Sequence, residues 1–191
     1  MKLILASTSP FRKAILAKLG AEFDTASPET DETALENESP QALVERLSVA
    51  KAKAIADKVD NALVIGSDQV SVIDGEIIGK PHTHENARKQ LQKASGKTVT
   101  FYTGLCLYNA TTNQYQSEVV PFNVVFRDLN DELIEAYLQK ETPYNCAGSF
   151  KSEALGIILF EKLQGDDPNT LMGLPLIRLV KMLEKEHFSI I

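Results

Sequence analysis

Apolar and polar positions along this chain follow two rhythms, one of two residues and one of three to four, and the rhythm changes at residues that cap helices or turn chains. Leu3 to Ala6 form an apolar run, so residues 2–6 read as a strand. Ser9 before Pro10 opens a helix over 10–19: a serine oxygen can accept from first-turn amides, and proline suits the first helical position. Gly20 stops it, and a short strand near 22–26 and an acidic loop over 28–38 follow. Ser39-Pro40 repeats the start signal and opens a long helix to about Val59. Residues 62–74 alternate loosely and end in Asp74-Gly75, a hairpin turn from which Glu76 to Ile78 return. Thr83 caps a helix to about Ala94, and residues 98–109 and 115–127 read as strands paired around the polar turn 110–114. A helix over 130–140, a strand over 157–163 and a last helix from Pro168 or Pro175 to about Glu186 complete the order. Crossovers and hairpins both occur, which predicts an α/β fold with a mixed sheet.

Composition narrows the class. The 191 residues are 43% hydrophobic and 24% charged, as in a globular protein with one large domain or two small lobes. A net charge of −6 argues against general nucleic-acid binding. No apolar run approaches the ~20 residues of a membrane span, and Met1-Lys2 leads into a strand rather than a secretory signal. Cys106 and Cys146 lack metal-site spacing and read as buried thiols of a reducing cytoplasm, with a disulfide between them as the alternative. The sequons at Asn37 and Asn109 are then coincidental.

The first helix carries the strongest chemical signal. Its N-terminus follows a strand end and is flanked by Ser7, Thr8, Phe11, Arg12 and Lys13. Free amides and the positive dipole end attract anions, whereas two cations there oppose the dipole, a conflict that an anionic partner resolves. Phosphate beside the flat ring of Phe11 points to a nucleotide. Within the buried-strand pattern of residues 63–70, Gly66-Ser67-Asp68-Gln69 is out of place, which makes Asp68 a candidate general base or metal ligand. The other reading is an aspartate bonded to a neighbouring loop. Gly79-Lys80-Pro81 is too short for a Walker loop, yet Lys80 follows the hairpin that carries Asp68 and could reach a phosphate.

On the second helix, Leu43, Leu47, Ala50 and Ala54 mark the buried stripe. Lys51 then borders apolar surface beside Val44 and Ile55, whereas Lys53 lies with Arg46 and Asp57 in solvent. Asp31-Glu32 is a carboxylate pair able to hold Mg²⁺, or else ordinary loop surface. Asp166 and Asp167 read as surface, His82 and His84 as weak signs of a metal, and Ser149 to Glu153 as a polar loop entering a strand.

Together these segments resemble the Maf family of nucleotide pyrophosphatases along essentially the whole chain. The matching blocks are Ala6-Ser7-Thr8-Ser9-Pro10-Phe11-Arg12, Asp31-Glu32, Lys51-Ala52, Gly66-Ser67-Asp68, Gly79-Lys80-Pro81, Ala147 to Glu153 and Gly173-Leu174-Pro175. Phe11 before the arginine, Ser67-Asp68-Gln69 and Lys151-Ser152-Glu153 resemble the subgroup acting on 7-methyl-GTP. The sister subgroup, acting on dTTP and UTP, has arginine, threonine and glutamine at Phe11, Gln69 and Glu153. Lys13 stands where a second arginine is common, Ala50 where glutamate is, and Phe11 where close relatives have tryptophan.

The resemblance implies a single Maf-like domain over 1–191, with two interleaved lobes around a cleft and an inosine-triphosphatase-like fold. It implies a cytoplasmic enzyme, often a homodimer, that cleaves a nucleoside triphosphate with Mg²⁺ or Mn²⁺. Asp68 becomes the general base and, with Glu32, the metal site; Ser7, Arg12, Lys51 and Lys80 bind triphosphate; Phe11, Gln69 and Glu153 select the base. A pyrimidine-preferring or broad pyrophosphatase and a catalytically weak regulator of cell division are the alternatives.

Overall fold

The computed structural model describes residues 1–191. Seven strands alternate with helices: β1 (Lys2–Ala6), α1 (Pro10–Leu16), β2 (Asp24–Ala26), α2 (Pro40–Ala56), β3 (Ala62–Ile73), β4 (Glu76–Ile78), α3 (His84–Ala94), β5 (Thr98–Asn109), β6 (Gln114–Phe126), α4 (Asp131–Glu141), β7 (Phe160–Gln164), α5 (Pro168–Leu171) and α6 (Leu176–Lys185). The expected α/β class with a mixed sheet holds. Strand order is β2-β1-β3-β5-β6-β7, with β4 paired to β3. β1 runs parallel to β2 and β3, whereas β4 on β3 and β7 on β6 are antiparallel.

Two local expectations shift. The apolar stretch expected as a strand from residue 157 opens instead as a 3-10 turn, Leu155–Leu159, and pairing starts at Phe160. A short apolar run fits either conformation, and only its neighbours decide. Pro168 and Pro175 each belong to a separate helix: Pro168 starts α5 and Pro175 caps α6.

The chain divides into two compact units, and the boundary falls inside β3, β5 and β6. The first holds residues 1–69, 103–120 and 167–191. Its core obeys the two-residue period of strands. Leu3, Leu5, Leu63, Ile65, Leu105 and Leu107 pack with Ile15, Leu16, Leu176, Leu179 and Leu183 of α1 and α6. Ile4, Ala6, Ala62, Val64, Cys106 and Tyr108 pack with Ala52, Ile55 and Ala56 of α2. Each large side chain so buried contributes roughly 1.5–3 kcal/mol.

α2 lies close on its strands because two glycines clear the way. A Cβ at Gly66 would stand 2.0 Å from the Ser48 carbonyl oxygen, and one at Gly104 would stand 2.1 Å from that of Val44. This approach rotates the helix from the expected stripe. Leu43 and Leu47 are buried as expected, together with Val44, Ser48, Lys51, Ala52 and Ile55, whereas Ala50 and Ala54 are only half-buried. Lys51 therefore sits within the buried face rather than at its border.

The second unit holds residues 70–102 and 121–166. Phe101, Phe126, Phe150 and Phe160 pack edge-to-face there, with centroids 4.9–5.5 Å apart. No helix is long and apolar enough to cross a membrane.

Candidate active site

In the first unit, the site grows from the parallel pair β1 and β3. β1 ends at Ala6, where Ser7 Oγ accepts from the Ser9 amide at 3.1 Å. Ser9 caps α1 by accepting from the Arg12 amide at 3.4 Å. β3 continues past Ile65, one of the residues that pair with β1, and Gly66, Ser67 and Asp68 follow. In parallel sheets ligands bind beyond such strand ends. The four unusual residues do not break the strand; each answers a neighbour.

Alternation sends them to opposite faces. Gly66 and Asp68 face α2, as Val64 does. Lys51 Nζ donates to Asp68 Oδ1 at 2.6 Å and lies 2.8 Å from Glu32 Oε1. The ammonium thus bridges a carboxylate from the strand and one from the loop before α2. The Lys51 and Asp68 side chains are 8% and 11% exposed and that of Glu32 is 60% exposed, so the cluster is dry on one side and open on the other. Burial raises the Asp68 carboxyl above its ordinary value, with the Lys51 and Arg12 charges pulling the other way. A raised carboxylate is the better proton acceptor.

Ser67 and Gln69 face the opposite side. Ser67 Oγ lies 2.9 Å from the carbonyl oxygens of Gly104 and Gly173 and shares its proton between them. The Gly173 carbonyl also accepts from Arg12 Nε at 2.8 Å. Gly173 has φ of 97°, and a Cβ there would stand 3.3 Å from Arg12 Nε, so glycine is what lets the guanidinium dock. Burial lowers the Arg12 pKa, and the fields of Asp68 and Glu32 hold it up. Gln69 Nε2 donates to Thr103 Oγ1 and to the Thr170 carbonyl, both at 2.8 Å. Phe11 stands on α1 and is 44% exposed.

The acidic loop is held from α2. Arg46 donates through Nε and Nη2 to Glu38 at 2.6 and 2.7 Å, and through Nη2 to the Thr33 carbonyl at 3.1 Å. These bonds frame the segment that carries Glu32. Lys53 is exposed and pairs with Asp57.

In the second unit, Lys80 and Glu153 are exposed, and the charges of Lys151, Glu153, Lys80 and Glu141 all act on the half-buried Cys146 thiol, whose pKa burial raises. Ser152 Oγ donates to Glu153 Oε2 at 3.4 Å. The ring nitrogens of His84 are engaged by the Tyr144 hydroxyl and Glu135, each at 2.9 Å.

Three residues had more to do than their sequence context showed. Asp167, read as surface, is 2% exposed; it caps α5 and accepts from the Ile177 amide at 2.9 Å. The Asp-Pro pair that opens α5 is its signal in the sequence. Gly173 supplies the carbonyl described above. Glu141 ends α4, where an acid opposes the helix dipole. That misplacement was its visible signal.

A family model described as Maf-like protein matches residues 2–186. The chain belongs to the Maf family. One Maf relative, the 7-methyl-GTP pyrophosphatase of Colwellia psychrerythraea, is 58% identical over 189 residues, covering 99% of this chain and 94% of its own. Among solved structures, the Ham1 protein of Staphylococcus aureus matches with a TM-score of 0.48 at 15% identity, over 67% of this chain and 73% of that one.

Proposed function

We propose that this Maf protein is a nucleoside-triphosphate pyrophosphatase that hydrolyses 7-methyl-GTP to 7-methyl-GMP and pyrophosphate. The observation that carries the substrate is the 58% identity, over nearly the whole chain, to a protein of that name. The local chemistry agrees. Water attacks the α-phosphorus and the bond to the bridging oxygen of pyrophosphate breaks. Asp68 accepts the proton of the attacking water. Ser7, the α1 amides, Arg12, Lys51 and Lys80 hold the triphosphate and neutralise its charge.

A divalent cation fits this reading at Glu32 and Asp68. Both carboxylates already converge on one cation, the Lys51 ammonium. One or two carboxylates with substrate phosphates and waters are the donor set Mg²⁺ or Mn²⁺ would take here. When bound, the ion supplies charge neutralisation at the triphosphate. Lys51 is then free to turn from the carboxylates to a phosphate.

Base selection falls to Phe11, Gln69 and Glu153. Guanine presents two donors side by side, N1–H and the 2-amino group, and one carboxylate accepts both. N7-methylation makes the ring cationic, which strengthens that pairing and stacking on Phe11. A uracil edge sets one donor between two acceptors and meets repulsion. Gln69 has its amide nitrogen committed to Thr103 and Thr170, which leaves its amide oxygen for a ligand. The protein works as a cytoplasmic homodimer in this reading.

The test is kcat/KM for 7-methyl-GTP, GTP, dTTP and UTP with Mg²⁺ and with Mn²⁺, in the parent and in Glu153→Gln. The expected parent preference is 7-methyl-GTP. Loss of a charge-assisted bond should lower the ratio of 7-methyl-GTP to UTP by about 10- to 100-fold. Equal losses for both nucleotides would remove Glu153 from base selection, and no pyrophosphate release from any of them would remove the activity.

A further inference from the structure

Glu141 is the last residue of α4, and its side chain is only 14% exposed. A carboxylate there faces the negative end of the helix dipole, so its neighbours must supply what the helix withholds. Oε1 accepts from Lys151 Nζ at 2.9 Å, and Oε2 accepts from the Leu155 amide at 3.1 Å. Lys151 Nζ also donates to the Glu141 carbonyl at 3.1 Å. One turn earlier, the Tyr137 hydroxyl accepts from the Lys151 amide at 3.2 Å. Together these bonds fasten both ends of the segment Lys151–Leu155 to the end of α4.

Between the fastened ends the segment is a tight turn. The Lys151 carbonyl accepts from the Ala154 and Gly156 amides at 3.3 and 3.1 Å. Gly156 permits this closure, since a Cβ there would stand 2.3 Å from the Lys151 carbonyl oxygen. Glu153 stands exposed within the turn. The arrangement also commits the Lys151 ammonium to Glu141.

We propose that Glu141 is a positioning residue for base selection: its two oxygens clamp the ends of the Lys151–Leu155 turn and so fix where the Glu153 carboxylate meets the donor edge of an N7-methylated guanine nucleotide. This rests on the reading that Glu153 meets the base. The lowered Glu141 pKa, caused first by its bond to Lys151, accords with a carboxylate that stays charged in the clamp.

Two measurements separate the proposal from the reading beneath it. The first is kcat/KM for 7-methyl-GTP and UTP in the parent, Glu141→Gln, Glu153→Gln and the double variant. Glu141→Gln should lower the 7-methyl-GTP to UTP ratio by about threefold to tenfold, through KM for 7-methyl-GTP, with UTP turnover changed less than about twofold. In the Glu153→Gln background it should lower the ratio no further, because the effect passes through Glu153. The second is hydrogen exchange at the Leu155 amide, which should speed by about tenfold or more in Glu141→Gln and Glu141→Ala while amides within α4 keep their protection.

A Glu153→Gln shift without a Glu141→Gln shift would overturn the positioning role and leave the base reading standing. No shift from Glu153→Gln would overturn the base reading and the proposal with it. Unchanged Leu155 exchange would show that the clamp does not hold the turn. Equal loss of both substrates in Glu141→Gln would reduce Glu141 to a structural residue and overturn the proposal.

Discussion

Lys51 and Lys151 each bind carboxylates in opposite settings. Lys51 is 8% exposed and bridges Asp68 and Glu32 from a helix packed on a strand. Lys151 is 30% exposed and meets Glu141 where a helix ends and a turn begins. The first pair has its backbone fixed by α2 and β3, so its ions do little to hold the fold. Desolvating them costs more than an apolar pair of like size would. The second pair spans a segment with little other secondary structure, and on the proposal above the ions set its shape. An ion pair on rigid elements points to chemistry, whereas one beside a turn points to placement.

The largest effect should come from breaking the first pair at the strand. Asp68→Asn keeps shape and, on the proposed assignment, removes the proton acceptor and one of the two carboxylates for a metal. Turnover should fall on the order of 10²-fold or more, measured as pyrophosphate release, with the circular dichroism melt retained. Near-parental turnover would place the base elsewhere.

Lys51→Ala should weaken both activity and stability. It leaves Asp68 in a dry site without its cation, at a cost of about 2–3 kcal/mol by denaturant unfolding. The cost stays at that level because Asp68, its pKa already raised by burial, can take up a proton instead. Lys80→Ala should lower turnover without a stability change, since Lys80 is exposed. Lys53→Ala should change neither by much, because an exposed i,i+4 pair contributes little in water. Equal effects at the three lysines would erase the contrast between buried and solvated cations.

The smallest effect sharpens the comparison at the acidic loop. Arg46 holds the Glu38 carboxyl well below its ordinary 4.5, at about 2. A depressed carboxyl stabilises the folded state above its unfolded pKa, and that contribution fades as pH falls from about 4.5 toward 2. Glu38→Gln should therefore lower the melting temperature at pH 6 and lose its penalty below about pH 2. A penalty that persists there would be one of packing rather than charge.

Most of the local architecture is legible in neighbouring residues. The caps at Ser9, Ser39 and Thr83, the Asp74-Gly75 turn and the strand alternation all act within a few residues, so pattern and chemistry reveal them. The separation of Lys51 from Lys53 was legible for the same reason, because helical geometry is local. Gly66-Ser67-Asp68-Gln69 was visible as an anomaly inside an apolar strand. What the anomaly answers was decided by the tertiary structure. α2 approaches over Gly66 and Gly104 and turns Lys51 fully inward, onto Asp68. Gly173, more than a hundred residues away in the chain, supplies the carbonyl that joins Ser67 to Arg12. Asp167 looked like a surface acid, and the role of Glu141 stayed hidden, because their partners, the Ile177 and Leu155 amides and Lys151, are backbone or distant groups. A backbone amide leaves no mark in a sequence, so only the fold shows which carboxylate it will meet.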